Sequence, residues 1–346
     1  MEINLADIKL TPDLESVCRK KISDSVYFSS EFADYISNSR LKLINPSQNG
    51  SPSTYKAGFT GETTTSLSIG SAIHELLLQP DEFILGPDLE KPSAKLGLVI
   101  DAIKEHRMQG MSVSDSIIAA CKKVHYYENN INVSRIKSII KAGLRYYINC
   151  RDILDDSIII LSSKDRTTVE NCMHNLKTSS LVNRLLAPVD LFGDPILTYN
   201  EDAFFININA SYQDKTCVLK LKMKADNWTI DVENKVITLN DLKTTGHLVQ
   251  QFMQPGGSME KFHYNRQFSM YMWILLQYCK QKYGYNSDEW TVKCNVIVVE
   301  TCCSNRVEVF PISKERLSQG KKEFCRLLKM VAYCEMFGYS DDFVFQ

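Results

Sequence analysis

The chain predicts an α/β (α+β) fold, a mixed central sheet flanked by helices, with a helical insertion. Three observations predict it. Beyond about position 188, apolar residues alternate with period two in five short runs, the mark of half-buried strands. A long helical stretch separates the third run from the fourth, and another follows the fifth. Between 94 and 186 the pattern stays helical.

The elements follow in order. To about position 49 the chain reads as short helices, with Ser29 and Ser30 as caps ahead of the apolar face of 27–36. A polar loop rich in Gly, Ser and Thr covers 46–66. A helix over 68–78 ends at Pro80-Asp81. The helical block includes 96–103 and 133–140. Strands are expected at 203–208, 218–225 and 236–243, the last reached through a turn around 232–235. A helix over 263–282, strands at 290–301 and 307–312, and a helix over 314–337 complete the chain. There is no internal repeat.

Composition bounds the function. With 346 residues, 40 Lys+Arg against 41 Asp+Glu, and a net charge of −1, the chain is no strongly basic coat for nucleic acid, though a local basic groove is compatible. No apolar run approaches the ~20 residues that span a bilayer, and the opening Met1-Glu2-Ile3-Asn4 lacks a signal-peptide pattern. The expectation is a cytoplasmic protein without a membrane partner. The 11 cysteines are scattered from Cys18 to Cys334 with no C-x-x-C, so reduced thiols are expected and no Fe–S cluster. Cys302 and Cys303 are adjacent on an expected strand and would face opposite sides.

Four local patterns could carry chemistry. Asp241 and Lys243 are two apart in Asn240-Asp241-Leu242-Lys243-Thr244-Thr245, so on a strand they share a face. A carboxylate that holds a cation and an ammonium beside it can act on one phosphodiester; a plain ion pair at a strand end is the other reading. Upstream, Lys220, Lys222, Lys224 and Asp226 share one face, opposite Leu219, Leu221, Met223 and Ala225. That face fits either solvent or three cations leading to a carboxylate. Asp226 lies across a hairpin from Asp241, and adjacent strands ~4.8 Å apart let two carboxylates share one metal. Gly70 and His74 are one helical turn apart, so something could approach the helix beside His74. Gln267 and Tyr271, at i and i+4 after His263, Tyr264 and Arg266, present polar reach from one helix face.

Taken in this order, the four patterns resemble the PD-(D/E)XK nuclease superfamily. They look most like its RecE-type (exonuclease VIII) branch, related to lambda exonuclease and the RecB nuclease domain. The pieces are Ser29-Ser30-Glu31-Phe32, Gly70-Ser71-Ala72-Ile73-His74, Lys224-Ala225-Asp226, Asp241-Leu242-Lys243-Thr244-Thr245 and Gln267-Phe268-Ser269-Met270-Tyr271. The resemblance implies a restriction-endonuclease-like core over 188–346, an N-terminal helical part over 1–93 carrying the Gly-x-x-x-His motif, and an insertion over 94–187. It implies Asp226 and Asp241 as metal ligands with the Leu242 carbonyl and His74, Lys243 as the catalytic lysine, and Thr244, Gln267 and Tyr271 as support for the site and the DNA backbone. Lys220, Lys222 and Lys224 would add DNA contacts. Ala225 stands where the family usually has Pro. The family's further acidic residue is assigned to Asp194, with Glu201 and Asp202 nearby.

The implied activity is Mg²⁺-dependent hydrolysis of phosphodiesters from duplex DNA ends, with Mn²⁺ as a substitute and a 5′-phosphate product, in phage-type recombination. The implied partners are linear DNA, a single-strand annealing protein and further copies of the chain in a ring. No G-x-x-x-x-G-K-[ST] loop is present, since Gly58-Phe59-Thr60-Gly61 runs into Glu62-Thr63 without lysine. The alternatives are an endonuclease, a CRISPR-associated or AddB-like nuclease, and an inactive DNA-end-binding protein. Lys122, Lys123, Arg135, Lys137, Lys141 and Arg145 leave the helical block open to a DNA-channel role or to plain solvation.

Overall fold

The five expected strands are present, and a sixth joins them in the main sheet. The computed structural model describes residues 2–58, 65–92, 94–153 and 157–346, for 65–68 the backbone alone. Part of the polar loop expected over 46–66, including Phe59, Thr60 and Gly61, lies outside the described residues. The strands are β1 (Glu2–Ile3), β2 (Lys9–Lys20), β3 (Ile84–Leu85), β4 (Ile158–Ile159), β5 (Leu197–Tyr212), β6 (Lys215–Asp231), β7 (Val236–Thr245), β8 (Thr291–Glu300), β9 (Val307–Pro311) and β10 (Val344–Phe345). The main sheet has six strands in the order β2-β5-β6-β7-β8-β9. Only β7 and β8 pair in parallel; the other neighbours are antiparallel.

The helices are α1 (Asp24–Tyr27), α2 (Asn38–Lys42), α3 (Pro52–Ala57), α4 (Thr65–Leu78), α5 (Ala94–Met108), α6 (Val113–Lys123), α7 (Val133–Cys150), α8 (Ser163–Thr178), α9 (Ser180–Leu186), α10 (Ser258–Lys261), α11 (Tyr264–Tyr283) and α12 (Lys314–Phe337). The main core joins α11 and α12 to the sheet through Phe204, Trp228, Leu239, Val296, Phe268 and Phe324. A second core joins α4, α8 and α9 to Leu242, Ile297 and Val299. Helices therefore flank both faces of the sheet, and the central strand β7 is buried from Ile237 to Leu242 where alternation implies half-burial. Among the described residues, no helix is long and apolar enough to cross a membrane.

Local chemistry explains the joints. Asn234 donates its backbone N–H (2.9 Å) and its side-chain N–H (2.7 Å) to the Asp231 carboxylate, which closes the turn from β6 to β7. Ser313 caps α12, accepting from the Arg316 N–H at 3.3 Å, and Gly338 ends it at φ 91°. The N-terminal segment differs from the helical expectation, because 9–20 forms the edge strand β2. Pro12 removes a ladder donor, which an edge tolerates. A bulge between Asp13 and Cys18 breaks the alternation that would have revealed the strand.

The helical block divides. α5, α6 and α7 build a core of their own from Val99, Ile100, Ile117, Ala120, Ile139 and Tyr146. α8 and α9 instead belong to the core beneath the sheet.

Helices α11 and α12 meet closely at Gly320. A Cβ there would lie 1.9 Å from the Asn265 carbonyl oxygen and 2.4 Å from the Ser269 hydroxyl. We expect Gly320→Ala to lower stability by about 1–3 kcal/mol through forced separation of the helices. The better helix propensity of Ala recovers part of this. Urea midpoints of the two proteins check it, and an unchanged or raised midpoint would contradict the contact.

Candidate active site

The site forms where β5, β6 and β7 pass beneath α4 and α11. Pairing between β6 and β7 ends at Asn227–Asn240, and Asp226 and Asp241 stand one position beyond. Past that pair the Asp226 side chain takes over from the ladder: its Oδ2 accepts the Leu242 N–H at 2.7 Å. Glu201 lies between the β5–β6 pairs Asn200–Asn227 and Asp202–Ala225, and so opposite Asp226. Three carboxylates thus occupy one row across three strands.

A paired kink aims them. Glu201 has φ 52°, in the left-handed region that non-glycine residues seldom enter. The core residues of β6 are Leu219, Leu221, Met223 and Ala225 before the site and Trp228 and Ile230 after it. The inward side of the strand therefore shifts by one residue at Asp226–Asn227. On β5, the shift falls between Tyr199 and Phe204.

His74 arrives from α4. Gly70, one turn earlier, permits this, since a Cβ on it would lie 3.1 Å from Thr244 Oγ1. His74 Nδ1 is 3.6 Å from Asp226 Oδ2. One donor atom each from His74, Glu201 and Asp226 lie within 4.8 Å of one another. Across the row, Asp241 Oδ1 accepts from Gln267 Nε2 of α11 at 3.0 Å. Asp241 Oδ2 contacts the Lys243 ammonium yet is buried without an aligned hydrogen bond. The Lys243 Nζ also lies 5.3 Å from the centre of the Tyr264 ring.

Electrostatics follow from the crowding. Burial pushes the Asp241 carboxyl up to about 6; Lys243 opposes this and Asp226 reinforces it. Burial also raises Asp226, against Lys243 and the Leu242 N–H. Burial raises Glu201, and the charge of Asp226 adds to it. Burial alone would lower Lys243, but Asp241 and Asp226 outweigh it and hold the ammonium above the ordinary lysine range. His74 is held below its usual value by burial and by Lys243. Tyr271 is raised by burial, with Asp241, Asp226 and Glu201 among the charges it faces.

The residues read from sequence therefore fall into two groups. His74, Asp226, Asp241, Leu242, Lys243, Gln267 and Tyr271 surround one spot, and Thr244 follows with its hydroxyl facing Gly70. Asp194 does not join them: it is exposed on the turn before β5, its N–H bound to Asp190 Oδ1 at 2.9 Å. Glu201, close to it in sequence, stands opposite Asp226 instead. The lysine row is also divided. Lys220 is exposed beside the Tyr35 ring. Lys222 is buried and donates to the Tyr27 carbonyl at 2.8 Å. Lys224 pairs with Glu201 at 2.8 Å and with Asp24. Lys222 and Lys224 are occupied within the fold, because the segment after β2 folds back over that face.

No protein-family model and no curated protein matches the chain. Among solved structures, the "Putative exonuclease" from Eubacterium rectale aligns over 90% of this chain and 86% of its own, at 10% identity and a TM-score of 0.44. Protein VC1899 from Vibrio cholerae aligns over 76% and 52%, at 11% identity and a TM-score of 0.14. Rai1 from Scheffersomyces stipitis aligns over 95% and 82%, at 9% identity and a TM-score of 0.18. Likeness at this level assigns neither activity nor residue roles.

Proposed function

We propose that the chain is a metal-dependent nuclease that hydrolyses DNA phosphodiesters at the row Glu201, Asp226 and Asp241. The observation that carries the reading is the convergence of three carboxylates, one histidine and one lysine from β5, β6, β7 and α4. Separate positions in the sequence meet there, and a structural ion pair has no need of all five.

The residues fit a divalent cation. The donors are mainly oxygen with one imidazole nitrogen, which suits Mg²⁺ and more readily Mn²⁺. One donor atom each from His74, Glu201 and Asp226 lie within 4.8 Å of one another, close enough to share one ion. Glu201, Asp226, Asp241 and His74 would hold the ion, with the Leu242 backbone beside them. When bound, it supplies Lewis-acid polarisation of the phosphate and a more acidic water. The chain does the rest. Gln267 fixes one Asp241 oxygen, which leaves the other facing Lys243. Lys243 keeps its charge because two carboxylates face it, so a cation stands where negative charge develops on phosphate. His74 is disposed to stay neutral and so keeps a nitrogen lone pair.

The finer reading is a Mg²⁺-dependent exonuclease acting on linear duplex ends. Its support is the motif order, with Gly-x-x-x-His ahead of Asp-x-Lys and Gln-x-x-x-Tyr after it. A ring of copies and an annealing partner belong to that reading and rest on the resemblance alone. A cytoplasmic setting rests instead on the cysteines, which are scattered and form no C-x-x-C. The test is digestion of end-labelled linear duplex beside closed circular DNA with Mg²⁺, Mn²⁺ or EDTA. Loss of the linear substrate alone, abolished by EDTA, is the expected result. Cutting of circles would replace the exonuclease with an endonuclease. No cleavage in either metal would overturn the nuclease.

A further inference from the structure

Beyond Lys243 the chain turns away from β7 and encloses a cavity of about 550 Å³. The volume falls within the ~300–1,000 Å³ typical of small-ligand sites. One wall is Thr244 to His247, directly after the candidate catalytic lysine, and the other is 251–264. Tyr264 belongs both to the cavity and to the site, since its ring faces the Lys243 ammonium.

The lining has a definite chemistry. Phe262 is 49% exposed at the cavity, with its ring 5.6 Å from Tyr264. Phe252 stacks on Tyr264 from behind at 5.8 Å and 13° between planes, which fixes that ring. Lys261 places its ammonium 5.6 Å from the Phe262 ring. Among the described residues no Asp or Glu lines the cavity, and the neighbouring Glu260 carboxylate is taken up by the Gly256 N–H at 2.9 Å. Exposed aromatic surface with a lysine ammonium beside it suits a ligand that is both a flat ring and an anion.

We propose that this cavity binds one nucleotide of the DNA strand next to the scissile phosphate, with the base stacked on Phe262 and a phosphate beside Lys261. The choice of DNA rests on the nuclease reading above. Stacking of this kind is tolerant of base identity, because every base has a π-face. The cavity would therefore place the strand against Lys243 without selecting sequence.

The test uses the full chain, with Phe262→Ala and Lys261→Gln, both at exposed positions. Deoxyadenosine 5′-monophosphate binding is measured by calorimetry without divalent metal, and cleavage of linear duplex is measured with Mn²⁺. The expected result is a loss of about 10-fold in mononucleotide affinity in Phe262→Ala, with KM for duplex raised by a similar factor and kcat within about 3-fold of wild type. Lys261→Gln should weaken binding less, and should flatten its salt dependence. Asp241→Asn, which removes a site carboxylate, should still bind the mononucleotide. An active enzyme whose nucleotide affinity and KM are unchanged in Phe262→Ala overturns the cavity assignment and leaves the nuclease standing. Phe262-dependent nucleotide binding by a protein that cleaves no DNA upholds the cavity and overturns the nuclease. No measurable nucleotide binding by a folded wild-type chain overturns the cavity assignment.

Discussion

Asp226→Asn is expected to lose at least about 10³-fold in DNA cleavage while the folded protein becomes no less stable. The two effects share one cause. Asp226 lies in the row with Glu201 and Asp241, and burial of all three works against their charge. A carboxyl whose folded pKa is raised costs stability above its unfolded pKa, so at neutral pH this row opposes folding. Asn keeps the shape and can still accept the Leu242 N–H through its carbonyl oxygen, but it removes one charge. The unfolding midpoint should stay level or rise, by about 0.5–2 kcal/mol at pH 7. Activity should fall, because the cation loses an anionic ligand and the developing charge loses its organiser. Lys243→Ala should have the opposite sign in stability, since it leaves Asp241 and Asp226 without the ammonium that offsets them. It should also slow cleavage about 10²–10³-fold. Cleavage rates, with denaturant midpoints for all three proteins, test the pair. An Asp226→Asn protein that is both active and destabilised would make the row a structural ion cluster.

How far the sequence reaches can be judged from particular residues. The closing helix is legible to the residue at 314–337, because a capping serine, a sustained apolar face and a following glycine all agree. Asp241 and Lys243 are legible because their relation is local, two positions on one strand. β2 is hidden because an edge strand needs neither a regular alternation nor every N–H, and Pro12 and the bulge use that freedom. Lys222 and Lys224 look like a cationic approach to Asp226 when the strand is read alone. Their partners, Tyr27, Asp24 and Glu201, come from elsewhere in the chain, and no local period announces them. The choice between Asp194 and Glu201 is likewise not marked by any local period. The hairpin register between 203–208 and 218–225 does place Glu201 opposite Asp226 once the turn at 213–214 is fixed. The left-handed backbone at Glu201, which turns its side chain into the site, has no signature in a glutamate.

That difference makes the sharpest test of the site's composition. Glu201→Gln should reduce cleavage by about 10²-fold or more, whereas Asp194→Asn should stay within about 2-fold of wild type. The estimate for Glu201 follows from removing a direct anionic donor, when disturbing even an outer partner of a metal ligand costs about 10–100-fold. The charge, not the contact, is what the substitution removes. Gln can still accept from Lys224, and the strand keeps its kink because the backbone at 201 is held by the flanking pairs Asn200–Asn227 and Asp202–Ala225. Activity as a function of Mn²⁺ concentration separates the possible causes. A weakened cation site shifts the Mn²⁺ midpoint upward, with partial recovery at saturation. A collapsed strand lowers activity at every concentration and lowers the unfolding midpoint as well. If Asp194→Asn fails and Glu201→Gln does not, the turn before β5 must close over the site in the DNA complex, and the three-carboxylate row would be replaced by Asp194, Asp226 and Asp241. If both substitutions leave cleavage intact, Asp226, Asp241 and His74 suffice for the cation, and Glu201 is left with one role, holding Lys224.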